Sequence, residues 1–365
     1  MYKHFLRLLL FRLDPESAHE LTLDWLTRAG HLSPVLALLK NIYANRTPDL
    51  PVELMGIKFP GPVGLAAGLD KGACCINALS CFGFGSLELG TVTPKAQPGN
   101  PKPRMFRIPE KQAILNRMGF NSGGLRPFLE NVASTRKTIP LGINLGKNAL
   151  TPNEMAADDY VTGLKQLYLY ADYFSINISS PNTKNLRDLQ SDEALDGLLT
   201  VIMKTRQQLA DEFKRKVPVA VKIAPDIKNS SISSLAELLI KHRVDAVIAT
   251  NTTIDHSSVQ GYEFAEETGG LSGSPLKERA NEVVRLLYRE LQGKVAIIGV
   301  GGISSAEDAW QRMLAGADLV QIYSSFIYNG PAIVAEITSG LAKHVAESGS
   351  ESLQQAVQSA REKNE

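Results

Sequence analysis

Val295-Ala296-Ile297-Ile298-Gly299-Val300-Gly301-Gly302 is the stretch from which the fold can be read. It is apolar on both faces, so a strand here needs cover on both sides, as in a parallel sheet ringed by helices. It stops at a glycine pair, the punctuation of a strand opening into a loop. Seven other apolar runs share this grammar, at 63–67, 86–91, 140–144, 171–177, 217–223, 244–250 and 318–323, each with a helical pattern behind it. Eight strands alternating with helices predict an α/β chain folded as one (β/α)8 TIM barrel. No low-complexity linker breaks the series. The expected division is an N-terminal α-helical hairpin appendage (1–45), the barrel (46–342) and a C-terminal tail (343–365), helical in pattern and then polar and frayed.

Composition narrows the function classes. The 365 residues are 44% hydrophobic and 21% charged, which fits a soluble core and excludes general disorder. A net charge of +1 gives no bulk attraction to nucleic acid, and none is expected as a partner. Cys74, Cys75 and Cys81 fit neither a zinc site nor a disulfide framework, so reduced thiols and no metal are expected. The apolar start, residues 2–13, is too short to span a bilayer, and Arg7 breaks it with no small-residue cleavage site after it, so a signal peptide is not expected either. Asp14-Pro15 opens a helical pattern that continues to Ala29, and a second runs over 34–43. Apolar residues on one side and basic ones on the other suit a hairpin lying on a bilayer surface, or equally a helical cap on the barrel. No Arg-rich, acid-poor leader is present, as expected of a bacterial rather than an imported mitochondrial protein.

Chemistry in such barrels sits at the C-terminal strand ends. The fourth run opens into Asn177-Ile178-Ser179-Ser180-Pro181-Asn182-Thr183, which offers amides and hydroxyls but no carboxylate, His or Cys. A hydrolytic triad or metal cage is therefore not expected there, and an ordinary Asx/Ser turn is the alternative. The other ends supply Ala66-Ala67-Gly68-Leu69-Asp70-Lys71, Gly90-Thr91, Asn144, Lys222, Thr250-Asn251-Thr252, Gly301-Gly302 and Tyr323-Ser324. Neutral amides and two lysines around one mouth suit a planar, hydrogen-bond-rich ligand with an anionic part. Glycines after the seventh strand and a hydroxyl after the eighth suit a phosphate held by backbone N–H groups. Lys222 either faces the mouth, where it could stabilise a reduced flavin, or pairs with a core carboxylate. The long connections 93–121 and 255–275 read as lids or binding walls.

Four of these motifs together resemble the dihydroorotate dehydrogenase family: Ala66 to Lys71, Asn116-Arg117-Met118-Gly119-Phe120-Asn121, Asn177 to Thr183, and Gly299-Val300-Gly301-Gly302-Ile303. The resemblance implies oxidation of dihydroorotate to orotate with FMN, in pyrimidine biosynthesis. Ser180 stands where one class has cysteine as base, which implies the quinone-dependent, membrane-associated class. It further implies Ser180 as base, Thr183 as relay and Phe120 as shield. FMN would be held by Ala67, Gly68, Leu69, Asp70, Lys71, Thr91, Asn144, Asn177, Lys222, Thr250, Gly273, Gly302, Tyr323 and Ser324. Substrate would be held by Lys71, Asn116, Arg117, Met118, Gly119, Phe120, Asn177, Asn182, Asn251 and Thr252, and quinone by His19 and Arg107. Ser122 departs from the family pattern, where a second Asn follows Asn121. The implied setting is the lipid surface on the cytoplasmic side of a bacterial inner membrane, as a peripheral monomer that uses a membrane quinone. A flavoprotein oxidising 2-hydroxy acids would need a His base, for which His256 is the candidate. A phosphate-sugar isomerase would explain the phosphate loops but not the amide ring, and Lys71, Ser180 and Lys222 all being in place argues against a catalytically silent, membrane-attached binding barrel.

Overall fold

Each apolar run becomes a strand whose side chains are covered on both faces. The computed structural model describes residues 2–363. Its strands are β1 (Val52–Leu54), β2 (Ile57–Phe59), β3 (Val63–Leu65), β4 (Ser86–Val92), β5 (Met105–Ile108), β6 (Ala113–Asn116), β7 (Leu141–Leu145), β8 (Tyr173–Asn177), β9 (Val219–Ile223), β10 (Ala246–Ala249), β11 (Gly270–Gly273), β12 (Ala296–Val300) and β13 (Leu319–Ile322). Its helices are α1 (Arg7–Leu10), α2 (Pro15–Gly30), α3 (Ser33–Ile42), α4 (Ile76–Leu79), α5 (Leu125–Ala133), α6 (Ala156–Leu167), α7 (Asp192–Phe213), α8 (Ile232–Lys241), α9 (Lys277–Leu291), α10 (Ala306–Leu314), α11 (Ser324–Asn329), α12 (Ala332–Ser348) and α13 (Leu353–Glu362).

The eight expected strands, β3, β4, β7, β8, β9, β10, β12 and β13, pair in parallel in that order and close into a barrel, with β13 returning to β3. All five residues of β8 and of β9 are buried. Each large apolar side chain so covered is worth about 1.5–3 kcal/mol. The register aligns Asn177 with Lys222, and Asn144 with both Gly90 and Ser175, so polar residues collect at one level of the barrel. Beneath them lies buried Glu88, which accepts hydrogen bonds from Asn144 Nδ2 (2.7 Å), Gln321 Nε2 (2.7 Å) and the Tyr173 hydroxyl (3.3 Å). Burial and the Glu88 carboxylate push the Tyr173 hydroxyl far above its usual range.

The connection 93–121 carries strands of its own that the expected lid or binding wall did not specify. Its middle folds as the antiparallel pair β5–β6, and β11 adds to β6 from the other long connection, giving a three-stranded sheet. Through Glu362 the tail is helical, as its pattern suggested, and packed. Leu353, Ala356 and Val357 recur at helical spacing and are buried, while Ser352 caps α13 by accepting the Gln355 N–H at 3.2 Å. Residue 343, the expected start of the tail, falls inside α12.

The N-terminal part is helical, as expected. Asp14 caps α2 by accepting the Ser17 N–H at 2.9 Å, with Pro15 at the first helical position. Buried Glu16 anchors α2 to the body, receiving Arg104 through Nη2 at 2.7 Å and Nε at 3.1 Å, and Arg104 also donates to the carbonyls of Pro98 (2.7 Å) and Asn100 (2.8 Å). Neither α1 nor α3 has a fully buried residue. Phe5, Leu8, Leu9, Trp25, Leu32 and Leu38 face outward, Trp25 with 67% of its surface exposed. Among the described residues no helix is long and apolar enough to cross a membrane.

Candidate active site

The C-terminal strand ends surround a cleft of about 1180 Å³, open to solvent at its mouth. Ala67, Gly68, Lys71, Thr91, Asn116, Met118, Gly119, Phe120, Asn177, Ser180, Asn182, Lys222, Thr250, Asn251, Thr252, Gly273, Gly302, Tyr323 and Ser324 all line it. The sheet β5–β6–β11 contributes Met105, Ile114 and Ser272, which the sequence reading missed because these short strands sit inside proline- and glycine-rich connections.

The floor is a network of amides and hydroxyls. Asn177 Nδ2 donates to Thr91 Oγ1 and Asn144 Oδ1, both at 3.1 Å, and Thr91 Oγ1 donates to Asn144 Oδ1 at 2.5 Å. Asn251 Nδ2 donates to Ser179 Oγ at 2.9 Å, and that hydroxyl donates to Asn177 Oδ1 at 3.1 Å. Opposite, Asn182 Nδ2 donates to the Asn116 carbonyl at 3.0 Å. Such mutual bonding fixes the rotamer of each amide before any ligand arrives, which is what dense hydrogen-bond selection requires. Both readings of Lys222 hold together. It lines the cleft, and its ammonium lies 3.5 Å from the Glu88 carboxylate.

Ser180 is nearly buried, and its Oγ accepts the Asn182 N–H at 3.3 Å, a donor that favours charge on that oxygen. Thr183, three residues on, has a buried hydroxyl with no partner among the described residues. Phe120 takes a left-handed backbone (φ +54), strained for an aromatic residue, and its ring covers Gly146, where a Cβ would lie 2.9 Å from it. Lys71 donates to Asn121 Oδ1 at 2.6 Å, and burial, with Arg104 nearby, lowers its ammonium to about 7. Ser122 keeps a local role, its hydroxyl accepting the Gly124 N–H at 3.1 Å.

At the far end the backbone at Gly302 (φ +73) passes so close to Lys277 that a Cβ would lie 2.4 Å from its Cα. The N–H groups of this turn, the Ser324 hydroxyl and the buried, unpartnered hydroxyl of Ser325 suit an oxyanion.

Five residues expected to bind cofactor or substrate or to relay the proton stand outside the lining. Leu69 packs into the core. Asp70 is buried and turned away, its carboxylate accepting the N–H groups of Cys74 (2.9 Å) and Cys75 (2.8 Å). Asn144 lies behind Thr91 and Asn177, holding them, and Thr183 is enclosed beside Ser180. The Arg117 side chain leaves the cleft, pairs with Glu267 at 2.6 Å and lies 4.8 Å over the Phe106 ring. His256 is also outside, which removes the base that a 2-hydroxy-acid oxidase would need.

His19, on α2, and Arg107, on β5, do not line the cleft. Burial and the nearby Lys71 ammonium lower His19 to about 4. Arg107 donates to the Leu13 carbonyl at 3.2 Å and lies 4.5 Å over the Phe11 ring, and Phe11 packs edge-on against Tyr328 at 5.3 Å. Phe11, Met105, Ile114, Met118, Tyr323 and Tyr328 form one apolar cluster between the N-terminal helices and the cleft.

The sequence profile of the dihydroorotate dehydrogenase family matches residues 49–345. A protein of Delftia acidovorans named dihydroorotate dehydrogenase (quinone) is 53% identical over 339 residues, 92% of this chain and 96% of its own. One of the same name from Paraburkholderia phymatum is 52% identical, with the same coverage. The crystal structure of the Eimeria tenella enzyme in complex with ferulenol superposes with a TM-score of 0.85 at 38% identity, covering 94% of this chain and 95% of the other.

Proposed function

The chain belongs to the quinone-dependent class of the dihydroorotate dehydrogenase family, and from that premise we propose that it oxidises dihydroorotate to orotate with FMN and a membrane quinone, Ser180 acting as base. One observation carries the choice of base. Among the described residues lining the cleft there is no carboxylate, imidazole or thiol, and the two lysines are engaged, Lys71 with Asn121 and Lys222 with Glu88, which favours a hydroxyl as the base. Ser180 stands on the wall formed by Asn116, Asn182 and Asn251, the amides suited to the edges of a pyrimidine ring and its carboxylate.

The residues fit the cofactor. The Gly301-Gly302 turn with Ser324 and Ser325 would hold the phosphate, while Lys222, Asn177 and Thr91 would face the ring, with Ala67, Gly68, Thr250, Gly273 and Tyr323 around it. FMN, when bound, supplies the acceptor for the hydride and a route for its electrons to quinone. Lys71 and the amides orient the substrate so that its acidic C–H faces Ser180 Oγ. A serine hydroxyl is a weak base, and two features assist it: the Asn182 N–H bond to Oγ and the buried hydroxyl of Thr183, placed to pass the proton outward. Phe120 shields the path from bulk water.

Residues 1–45 would form the quinone passage. The apolar cluster from Phe11 to Tyr323 gives the route, with His19 and Arg107 at its polar points, and the outward Phe5, Leu8, Trp25 and Leu38 would rest on lipid at the cytoplasmic side of the inner membrane. Residues 46–342 would be the FMN barrel, 343–365 its tail, and the protein a peripheral monomer.

The test is anaerobic mixing of the purified yellow protein with dihydroorotate, following flavin absorbance, and then adding a soluble quinone. Bleaching and recovery are expected. Ser180→Ala is expected to retain FMN and bleach about 10²–10⁴ times more slowly, and a variant bleaching at the wild-type rate would remove Ser180 from the role.

A further inference from the structure

We propose that His256 is a positioning residue whose protonation clamps the 255–270 segment against the substrate-binding amides. The proposal deepens the activity proposed above and rests on it. The His256 ring is half-buried in the loop after β10, with Nδ1 3.2 Å from the Ala265 carbonyl oxygen and Nε2 3.1 Å from that of Gly269. A neutral imidazole has one N–H, so it bonds one carbonyl and turns a lone pair towards the other. The imidazolium donates to both, with bonds strengthened by its charge. It thereby ties the start of the segment to two points 9 and 13 residues further on.

The second of those points is where the segment meets the cleft. A Cβ on Gly269 would lie 2.5 Å from the Asn116 carbonyl oxygen, and one on Gly270 would lie 1.9 Å from Thr252 Oγ1 and 3.0 Å from the Pro181 ring. Asn116 receives the Asn182 amide at 3.0 Å, and Asn182 follows Pro181 on the loop that carries Ser180. Movement of the Gly269 carbonyl is thus handed directly to Asn116, Thr252 and Pro181. His256 lies outside the cleft and takes no part in hydride or proton transfer.

The charged groups facing this region are Asp255, Glu266, Glu267, Arg117 and Lys184, which line an open vestibule of about 1340 Å³ with His256. Glu267 is engaged by Arg117, and Asp255 accepts the Ser257 N–H at 2.9 Å, so both carbonyls depend on the imidazole for their donors from this group of side chains.

The experiment compares wild type, His256→Arg and His256→Gln as FMN-loaded enzymes from pH 5.5 to 8.5. The arginine keeps two donors and its charge at every pH, whereas the glutamine is never charged. The KM for dihydroorotate of the wild type, divided by that of His256→Arg, is expected to rise about three- to tenfold between the acid and the alkaline end of the series. His256→Gln should show no such step and stay at the high-pH value. The pH dependence of kcat, set by the base, is common to all three. A second readout needs no turnover: amide hydrogen exchange of 257–270, corrected for intrinsic pH dependence, should quicken at high pH in the wild type and not in His256→Arg. Parallel KM profiles and parallel exchange in wild type and His256→Arg would overturn the clamp. An enzyme that does not oxidise dihydroorotate at all would overturn the proposed activity instead, and the exchange comparison would still decide the clamp.

Discussion

Replacing Glu16 by Gln is expected to loosen the N-terminal helices from the barrel and to slow quinone turnover more than substrate oxidation. The Glu16 carboxylate and the Arg104 guanidinium are both nearly buried and joined by contacts at 2.7, 3.1 and 3.2 Å. Burial pushes the Glu16 carboxyl up, but the hydrogen bonds and charge of Arg104 outweigh it and hold it below the usual range. A glutamine keeps one acceptor for Arg104 Nη2 but sets an amide N–H₂ against Nε–H, and leaves the guanidinium without a countercharge. Removing one partner of a buried pair costs about 3–5 kcal/mol. Here the carbonyls of Pro98 and Asn100 still receive Arg104, which reduces the loss to about 2–4 kcal/mol. At about 2 °C per kcal/mol for a chain of this size, the midpoint of thermal unfolding should fall by ~4–8 °C. The assay pairs calorimetry of the FMN-loaded protein with two rates, flavin bleaching by dihydroorotate and reoxidation by quinone. Bleaching should stay near wild type, because Glu16 does not line the cleft, while the KM for quinone rises. An unchanged midpoint and an unchanged quinone KM together would refute the claim that this pair fastens α2.

Gly302→Ala combines a left-handed backbone with a Cβ that would lie 2.4 Å from Lys277, so FMN affinity should drop at least about tenfold, read as flavin content after gel filtration. Retention of FMN at the wild-type level would show that the oxyanion sits elsewhere. His19 is lowered to about 4, so between pH 4 and 6.5 the unfolded chain binds the extra proton, and stability falls as pH is lowered through that window by up to about 3 kcal/mol. His19→Asn should flatten the corresponding slope of melting temperature against pH, and an identical slope would count against the burial of that ring. Trp25→Glu with Leu38→Glu, both exposed, should leave melting unchanged yet cut binding to anionic lipid vesicles at least about tenfold. Undiminished binding would move the lipid contact to another surface.

The barrel was legible because burial on two faces leaves a mark in the chain. A strand such as β12 can afford no polar side chain, and the series of such runs fixes both class and order. β5, β6 and β11 leave no such mark. They are four residues each, and β11 is half glycine, held as a strand by β6 more than 150 residues earlier. Pairing at that distance is a tertiary fact, invisible to local periodicity. Within the site, strand-end position located the residues that line the cleft but not the direction of each side chain. Asp70 adjoins Lys71, yet its carboxylate turns back to cap the next turn. Arg117 lies between cleft residues, yet it reaches outward to Glu267. Lys222 was readable as a cleft cation or as half of a core pair, and a long side chain near the end of a barrel strand can be both. The tail's helical pattern was legible, but its polar composition hid the spacing of Leu353, Ala356 and Val357 that seats α13.

The first residues of the chain are fastened by some of the last. The Tyr2 hydroxyl donates to the Ile327 carbonyl at 2.6 Å, and Arg7 donates to the Tyr328 carbonyl at 3.1 Å. A ribosome adding about 5–20 residues per second needs roughly 16–65 s to travel from one end of those bonds to the other. Throughout that interval the greasy leading segment has emerged while its berth on the barrel does not yet exist. The chain's order of synthesis therefore leaves this segment without the carbonyls that hold it until most of the barrel has been made.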